Sequence, residues 1–255
     1  MPWSPRGLRG RRRAILSRSP NSTTSPPVRD DLLPLSILDH RADARVAFLG
    51  RLAGETEDLA TALAGLRRLA GDRAPTRGAE NRQVHSARCV EALDGSRPEA
   101  DALWSLEHDL ALAVYTADCV PVLLAGPTSI AAAHAGWRGL VSGVVATTLA
   151  ALPDDPASLT AWIGPAIGAC CYQVSEEVAH AVAAASASGV RVERSPRPHL
   201  DLAGAAKTQL EAHGVRDIRV VARCTGCETD RLWSYRGHPA TGRRNYALVW
   251  RTGPA

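Results

Sequence analysis

The chain has 255 residues, 45% of them apolar, which is enough for one large core or two modest ones. No stretch approaches the roughly 18 uncharged apolar residues of a spanning helix, so a membrane-crossing segment is not expected. The formal charge of +4 sits in the leader: residues 1–30 carry seven arginines against Asp30, leaving −2 on residues 31–255 and no basic, aromatic-laced stripe for nucleic acid.

Residues 1–30 are rich in Pro, Ser and Arg but lack an apolar core followed by a small-residue cleavage site, so they read as a flexible basic arm and not as a secretory signal. Residues 31–255 are expected to form a single domain. From 44 to 50, ARVAFLG reads as a strand that leads into ETEDLATALAGLRRLAG, a helix with acids early and arginines late. Turn residues follow, then a short strand expected around Val84 and His85, and another at ADALWSL. DLALAVYTADCVPVLLAG and SIAAAHAG read as buried strands separated by the GPTS turn.

After His134, GWRGLVSGVVATTLAAL changes to a helical pattern that Gly139 and Gly143 weaken. ASLTAWIGPAIGACCYQV returns to strand and tight loop. A helix then starts with Ser175 as N-cap and Glu176 and Glu177 in its first turn. DLAGAAKTQLEAHG predicts a further helix that stops at Gly214, and IRVVARCTGC and RRNYALVW supply late strands. The sum is a mixed α/β chain with neither a GxGxxG fingerprint nor a GxxxxGK[ST] loop, which removes the motif basis for dinucleotide or P-loop chemistry.

Six cysteines, Cys89, Cys119, Cys170, Cys171, Cys224 and Cys227, are too few for a disulfide scaffold in a chain of this length, and reduced, cytoplasmic thiols are expected. Cys119 lies between two apolar runs and His134 ends the second, so neighbouring strands can bring them together; His85 is the best third partner. Two imidazoles and a thiolate suit zinc, with copper as a competing metal, and leave one tetrahedral position for a reactant. The bland reading is a buried thiol and two hydrogen-bonded core histidines. Cys224 and Cys227 form a lone CxxC, a pattern of redox pairs and of half a zinc knuckle; with no second CxxC it is read as a turn bearing packed thiols, and Cys170 and Cys171 are read as packing or site-access residues.

The motifs QVH, TADCVPVLL, AAAHAGWRG, WIGPAIGACCYQV, LDLAGAAKTQL and CTGCETDRLWSYRG, in this order, resemble the bacterial YfiH-like family, also called DUF152 or the multicopper polyphenol oxidoreductase laccase family. The resemblance implies an α+β fold, a mixed-sheet α/β/β/α layered sandwich, with zinc held by His85, Cys119 and His134. It implies phosphorolysis of adenosine, inosine or methylthioadenosine, with adenosine deamination as a second activity and purine nucleosides and phosphate as partners. The family's glycine-rich opening is not evident before about residue 80, and its commoner CTYC is CTGC here, which puts part of the substrate wall in question.

Phosphorolysis needs phosphate held beside the ribose and charge stabilised on the departing purine. Cys119, His85 and Arg138 are the candidate catalytic residues: Arg138 follows Trp137 at the start of a helix and is placed to meet an anion, with Arg82 behind it. Asp118 is read as lying in an extended strand, its side chain facing away from that of Cys119, with a role in orienting the loop. Eight histidines without an HxH pair do not suit a four-copper oxidase, which leaves two alternatives: a simpler copper-dependent phenol oxidase and a non-catalytic, metal-stabilised binding protein. The sequence leaves monomer and homodimer both open.

Overall fold

A computed structural model describes residues 36–51, 58–186, 188–239 and 241–252; the basic arm of residues 1–30 lies outside the described residues. The central strands are apolar at successive positions, so both of their faces need cover, and two stacked sheets supply it. One sheet contains β1 (Ser36–Arg41), β2 (Ala44–Leu49), β3 (Arg77–Glu80), β6 (Leu110–Thr116) and β13 (Asn245–Arg251), in the order β1-β2-β13-β6-β3. The other contains β4 (Cys89–Glu91), β5 (Ala102–Ser105), β7 (Val120–Ala125), β8 (Ile130–Ala135), β9 (Thr160–Ile163) and β12 (Asp217–Val220), in the order β12-β9-β7-β8-β5-β4. Each mixes parallel and antiparallel pairs. A small antiparallel pair, β10 (Arg191–Val192) and β11 (His199–Leu200), stands apart.

Strand alternation sorts the side chains into layers. Val46, Phe48, Leu112, Val114 and Val249 face Leu103, Leu123, Ile130 and Trp162 between the sheets. The opposite face of the first sheet, through Ala47, Leu49, Leu248 and Trp250, packs against Ala62 and Leu66 of α1 (Leu59–Ala70). The outer face of the second sheet, through Val122, Leu124 and Ala133, packs against α2 (Trp137–Ser142), α3 (Val144–Ala151), α4 (Glu176–Ala185) and α5 (Leu202–Ala212). The order helix, sheet, sheet, helix is the layered sandwich expected from the sequence. A polar clamp at the sheet edge joins the layers: Asp39 of β1 accepts from Trp162 Nε1 of β9 at 2.8 Å and from Arg219 of β12 at 2.9 Å.

Most elements fall where the patterns place them. Ser175 caps α4 by accepting from the Val178 N–H, and Gly214 follows α5 in a left-handed conformation at φ 92°. Three readings change. Val84 and His85 lie in a loop, and the nearby strand is Cys89–Glu91. The helix expected after His134 is two helices, because Gly143 takes φ 88°, ends α2 and starts α3. The late strand stops at Val220, so Cys224 sits in a loop. Among the described residues, no helix is long and apolar enough to cross a membrane.

Candidate functional site

Cys119 occupies the connection that carries the chain from β6 in one sheet to β7 in the other, and His134 lies on β8, directly opposite Pro121 of β7. Neither placement would bring in His85 without Asp101. This carboxylate, fully buried just before β5, accepts from the backbone N–H groups of Val84 (3.2 Å), His85 (3.0 Å) and Ser86 (2.6 Å) and from Ser86 Oγ (2.7 Å). It thereby holds His85 at φ 62°, a left-handed backbone that a histidine rarely adopts unaided.

The same carboxylate accepts from His134 Nδ1 at 2.8 Å, which fixes the tautomer and leaves Nε2 to face the site. His85 and His134 meet edge-on with ring centroids 4.9 Å apart, and Cys119 Sγ lies 3.9 Å from His85 Nε2. One ligand atom from each of His85, Cys119 and His134 falls within 4.8 Å of the others, so the donor set could close on a single ion. Gly136 completes the cradle, because a Cβ there would stand 2.9 Å from Cys119 Sγ and 3.0 Å from His85 Cδ2.

Burial alone would push the Cys119 thiol up, but hydrogen bonds and charge from His134 and then His85 bring it down to about 6. Burial opposes a charge on His134, yet Asp101 and then Cys119 raise it to about 9. Cys89, away from these partners, is pushed up by burial to about 11. Metal-free protein will therefore show alkylation at Cys119 that rises as pH passes about 6 and is near its plateau at pH 8, while Cys89 stays unlabelled over the same range. Peptide mapping after a short iodoacetamide pulse checks this, and equal labelling of the two thiols would contradict the thiolate at Cys119.

The three side chains open onto a cavity of ≈ 400 Å³. Trp137, Tyr115, Tyr172 and Tyr235 supply ring surface to its wall, and Arg138, Arg236 and Arg244 supply positive charge. The Arg138 guanidinium lies 4.4 Å over the Trp137 ring, and that of Arg236 lies 5.4 Å from the Tyr172 ring centroid. Asp118 also lines the cavity, but from a turn at φ 89° and not from an extended strand. Its carboxylate accepts from Thr225 Oγ1 at 2.6 Å and from the Arg236 N–H at 2.7 Å, which tethers the Arg236 loop. Arg82 points elsewhere, into an ion pair with Glu99.

Sequence reasoning missed Asp101, although a lone acid opening an otherwise apolar strand was the available signal. It also missed Tyr172 and Arg236, which the fold brings in from distant loops. The other thiols behave unexpectedly: Cys170, Cys171, Cys224 and Cys227 form a second group, their sulfurs within 4.8 Å of one another, instead of serving as separate packing residues. Among the described residues, His85 and His134 are the only histidines in a metal-compatible group. His108, His199 and His213 each bond a backbone carbonyl instead, which weighs against a multinuclear copper centre.

A family profile described as multi-copper polyphenol oxidoreductase laccase matches residues 52–252. The chain belongs to this family. Within the YfiH-like family, it is 40% identical over 174 residues to a purine nucleoside phosphorylase of Pseudomonas aeruginosa, covering 66% of this chain and 72% of that protein. It is 43% identical over 178 residues to a purine nucleoside phosphorylase of Streptomyces coelicolor, covering 66% and 73%. Among solved YfiH-like structures, a Neisseria meningitidis protein of the DUF152 family superposes with a TM-score of 0.74 at 30% identity, over 86% of this chain and 99% of that one. YlmD from Geobacillus stearothermophilus superposes with a TM-score of 0.77 at 27% identity, over 89% and 100%.

Proposed function

We propose that this chain is a zinc-dependent purine nucleoside phosphorylase, acting in the cytoplasm on adenosine, inosine or methylthioadenosine, with adenosine deamination as a secondary activity. The observation that carries this reading is the convergence of His85, Cys119 and His134 on the wall of a cavity that also presents ring surface and arginines. The names of the curated relatives support the same reaction class.

Three donors fit zinc and leave a coordination position for a reactant. Zinc held there supplies positive charge against the negative charge that develops as the glycosidic bond breaks. The rest of the work falls to side chains. Trp137 and Tyr172 offer flat apolar faces for a purine, and the guanidinium groups of Arg138 and Arg236 offer charged donors for phosphate. Phosphate oxygen forms the new bond to the ribose C1 position as the bond to the purine nitrogen breaks, and that nitrogen takes up a proton. Asp101 acts one step back, by holding both imidazoles in register.

Zinc-loaded protein given adenosine and phosphate will release adenine and ribose 1-phosphate. His85→Ala will fall to the level of zinc-stripped protein while keeping its fold, as read by product chromatography and circular dichroism. Loss of neither activity nor zinc in that variant, or no turnover of any of the three nucleosides by the zinc-loaded parent, would overturn the proposal. Release of inosine without phosphate would add the deaminase activity.

A further inference from the structure

Two tight turns, distant in sequence, place four thiols in one spot. Cys171 and Tyr172 both donate their N–H groups to the Gly168 carbonyl, at 2.9 and 3.0 Å, which folds Gly168–Tyr172 into a turn that presents Cys170 and Cys171. On the other side, Cys227 and Glu228 donate to the Cys224 carbonyl at 3.1 and 3.0 Å, closing the CxxC turn. The turns are zipped together where Ala166 and Cys224 bridge in parallel and the Thr225 N–H reaches Ala166 O at 3.0 Å.

The sulfurs of Cys170 and Cys224 stand 3.4 Å apart, those of Cys170 and Cys227 3.4 Å, and those of Cys171 and Cys227 3.5 Å. A tetrahedral zinc with Zn–S bonds of about 2.3 Å sets its sulfurs about 3.8 Å apart, so small rotations of these side chains meet the requirement. Both turns are hollowed to let the sulfurs in. A Cβ on Gly226 would stand 2.8 Å from Cys171 Cβ and 3.0 Å from its Sγ, and one on Gly168 would stand 3.2 Å from Cys170 Sγ. The Gly168 N–H also points at Cys224 Sγ, 3.2 Å away, as backbone donors do toward metal-bound thiolates.

We infer that Cys170, Cys171, Cys224 and Cys227 are the four ligands of a second metal site, which takes one zinc ion and serves as a structural staple. A donor set of sulfur alone selects a soft or borderline cation over magnesium or calcium. With all four positions filled by protein, no reactant can bind, so the site does no chemistry of its own. Its consequence is positional. Tyr172 follows Cys171 directly and lines the main cavity, while Thr225, between Cys224 and Cys227, donates to Asp118, which also holds the Arg236 N–H. The staple therefore fixes the part of the cavity wall that carries Tyr172, Asp118 and Arg236.

The assignment does not depend on the reaction proposed above, and zinc counting separates the two. Full-length protein prepared under reducing conditions will hold two zinc ions per chain by elemental analysis. Cys227→Ser and Cys171→Ser will each lose one and keep the other, and His85→Ala will lose the one they keep. One zinc per chain, retained in His85→Ala and lost in Cys227→Ser, would sink the catalytic centre and leave the staple standing. Should the cysteine variants fail to fold, cobalt titration of the parent replaces them: one of the two equivalents bound will show the strong thiolate-to-cobalt absorption of a four-sulfur tetrahedral site. Zinc content indifferent to both cysteine substitutions, iron in place of zinc, an absent cobalt signature, or a Cys170–Cys227 disulfide in freshly reduced protein would each overturn the inference.

Discussion

On the proposed zinc site of His85, Cys119 and His134, Asp101→Asn will weaken zinc binding there by about 10- to 100-fold and lower folding stability by about 3–5 kcal/mol. The side chain keeps its shape, but the chemistry inverts. The two carboxylate oxygens, on a fully buried side chain, accept from the N–H groups of Val84, His85 and Ser86, from Ser86 Oγ and from His134 Nδ1. An amide presents an NH₂ group to donors wherever it is turned, so at least one of those five loses its partner in the interior. His134 is then free to take the other tautomer, and the loop at His85 loses what holds its left-handed backbone. Competition with a fluorescent zinc chelator and urea unfolding check the two effects. Unchanged zinc affinity would show that the imidazoles are oriented by something other than this carboxylate.

On the proposed zinc site of His85, Cys119 and His134, Gly136→Ala will weaken zinc binding at that site while leaving the apoprotein folded and the four-cysteine group untouched. Gly136 has φ −74° and ψ 170°, which alanine adopts without strain, so the effect is steric and local. The added methyl would sit 2.9 Å from Cys119 Sγ and 3.0 Å from His85 Cδ2, so the thiol must shift and the imidazole must give by a few tenths of an ångström, which moves both from the position where they meet. The thermal midpoint of zinc-free protein will match the parent, and the midpoint rise on adding zinc will shrink. Zinc affinity at this site equal to the parent's would overturn the proposed convergence of His85, Cys119 and His134 on one ion.

How much of this was legible in the sequence depended on how local the cause was. The strands β6, β7 and β8 announce themselves through apolar runs buried on both faces, and Ser175 announces α4 through its cap. Cys119 and His134 could be paired because neighbouring strands needed only register to join them. The strand expected at Val84 and His85 failed because a carboxylate sixteen positions from His85 sets that backbone, and no window of sequence contains both causes. β3, with the sequence RGAE, has no apolar alternation and becomes a strand only by lying alongside β6. The four-thiol group was hidden in the same way: Cys170 and Cys224 are 54 positions apart, and a CC pair has no spacing that signals a metal.

The turn bearing Cys119 is also the seam by which the chain passes from one sheet into the other, whereas His134 belongs wholly to the second. Sliding the layers past one another would tug on the thiol and leave the imidazole in place. Warming that loosens the stacking between layers should thus part Cys119 from His134 while each sheet still holds its own hydrogen bonds, so the integrity of this cluster reports on the mortar between the leaves more than on the leaves themselves.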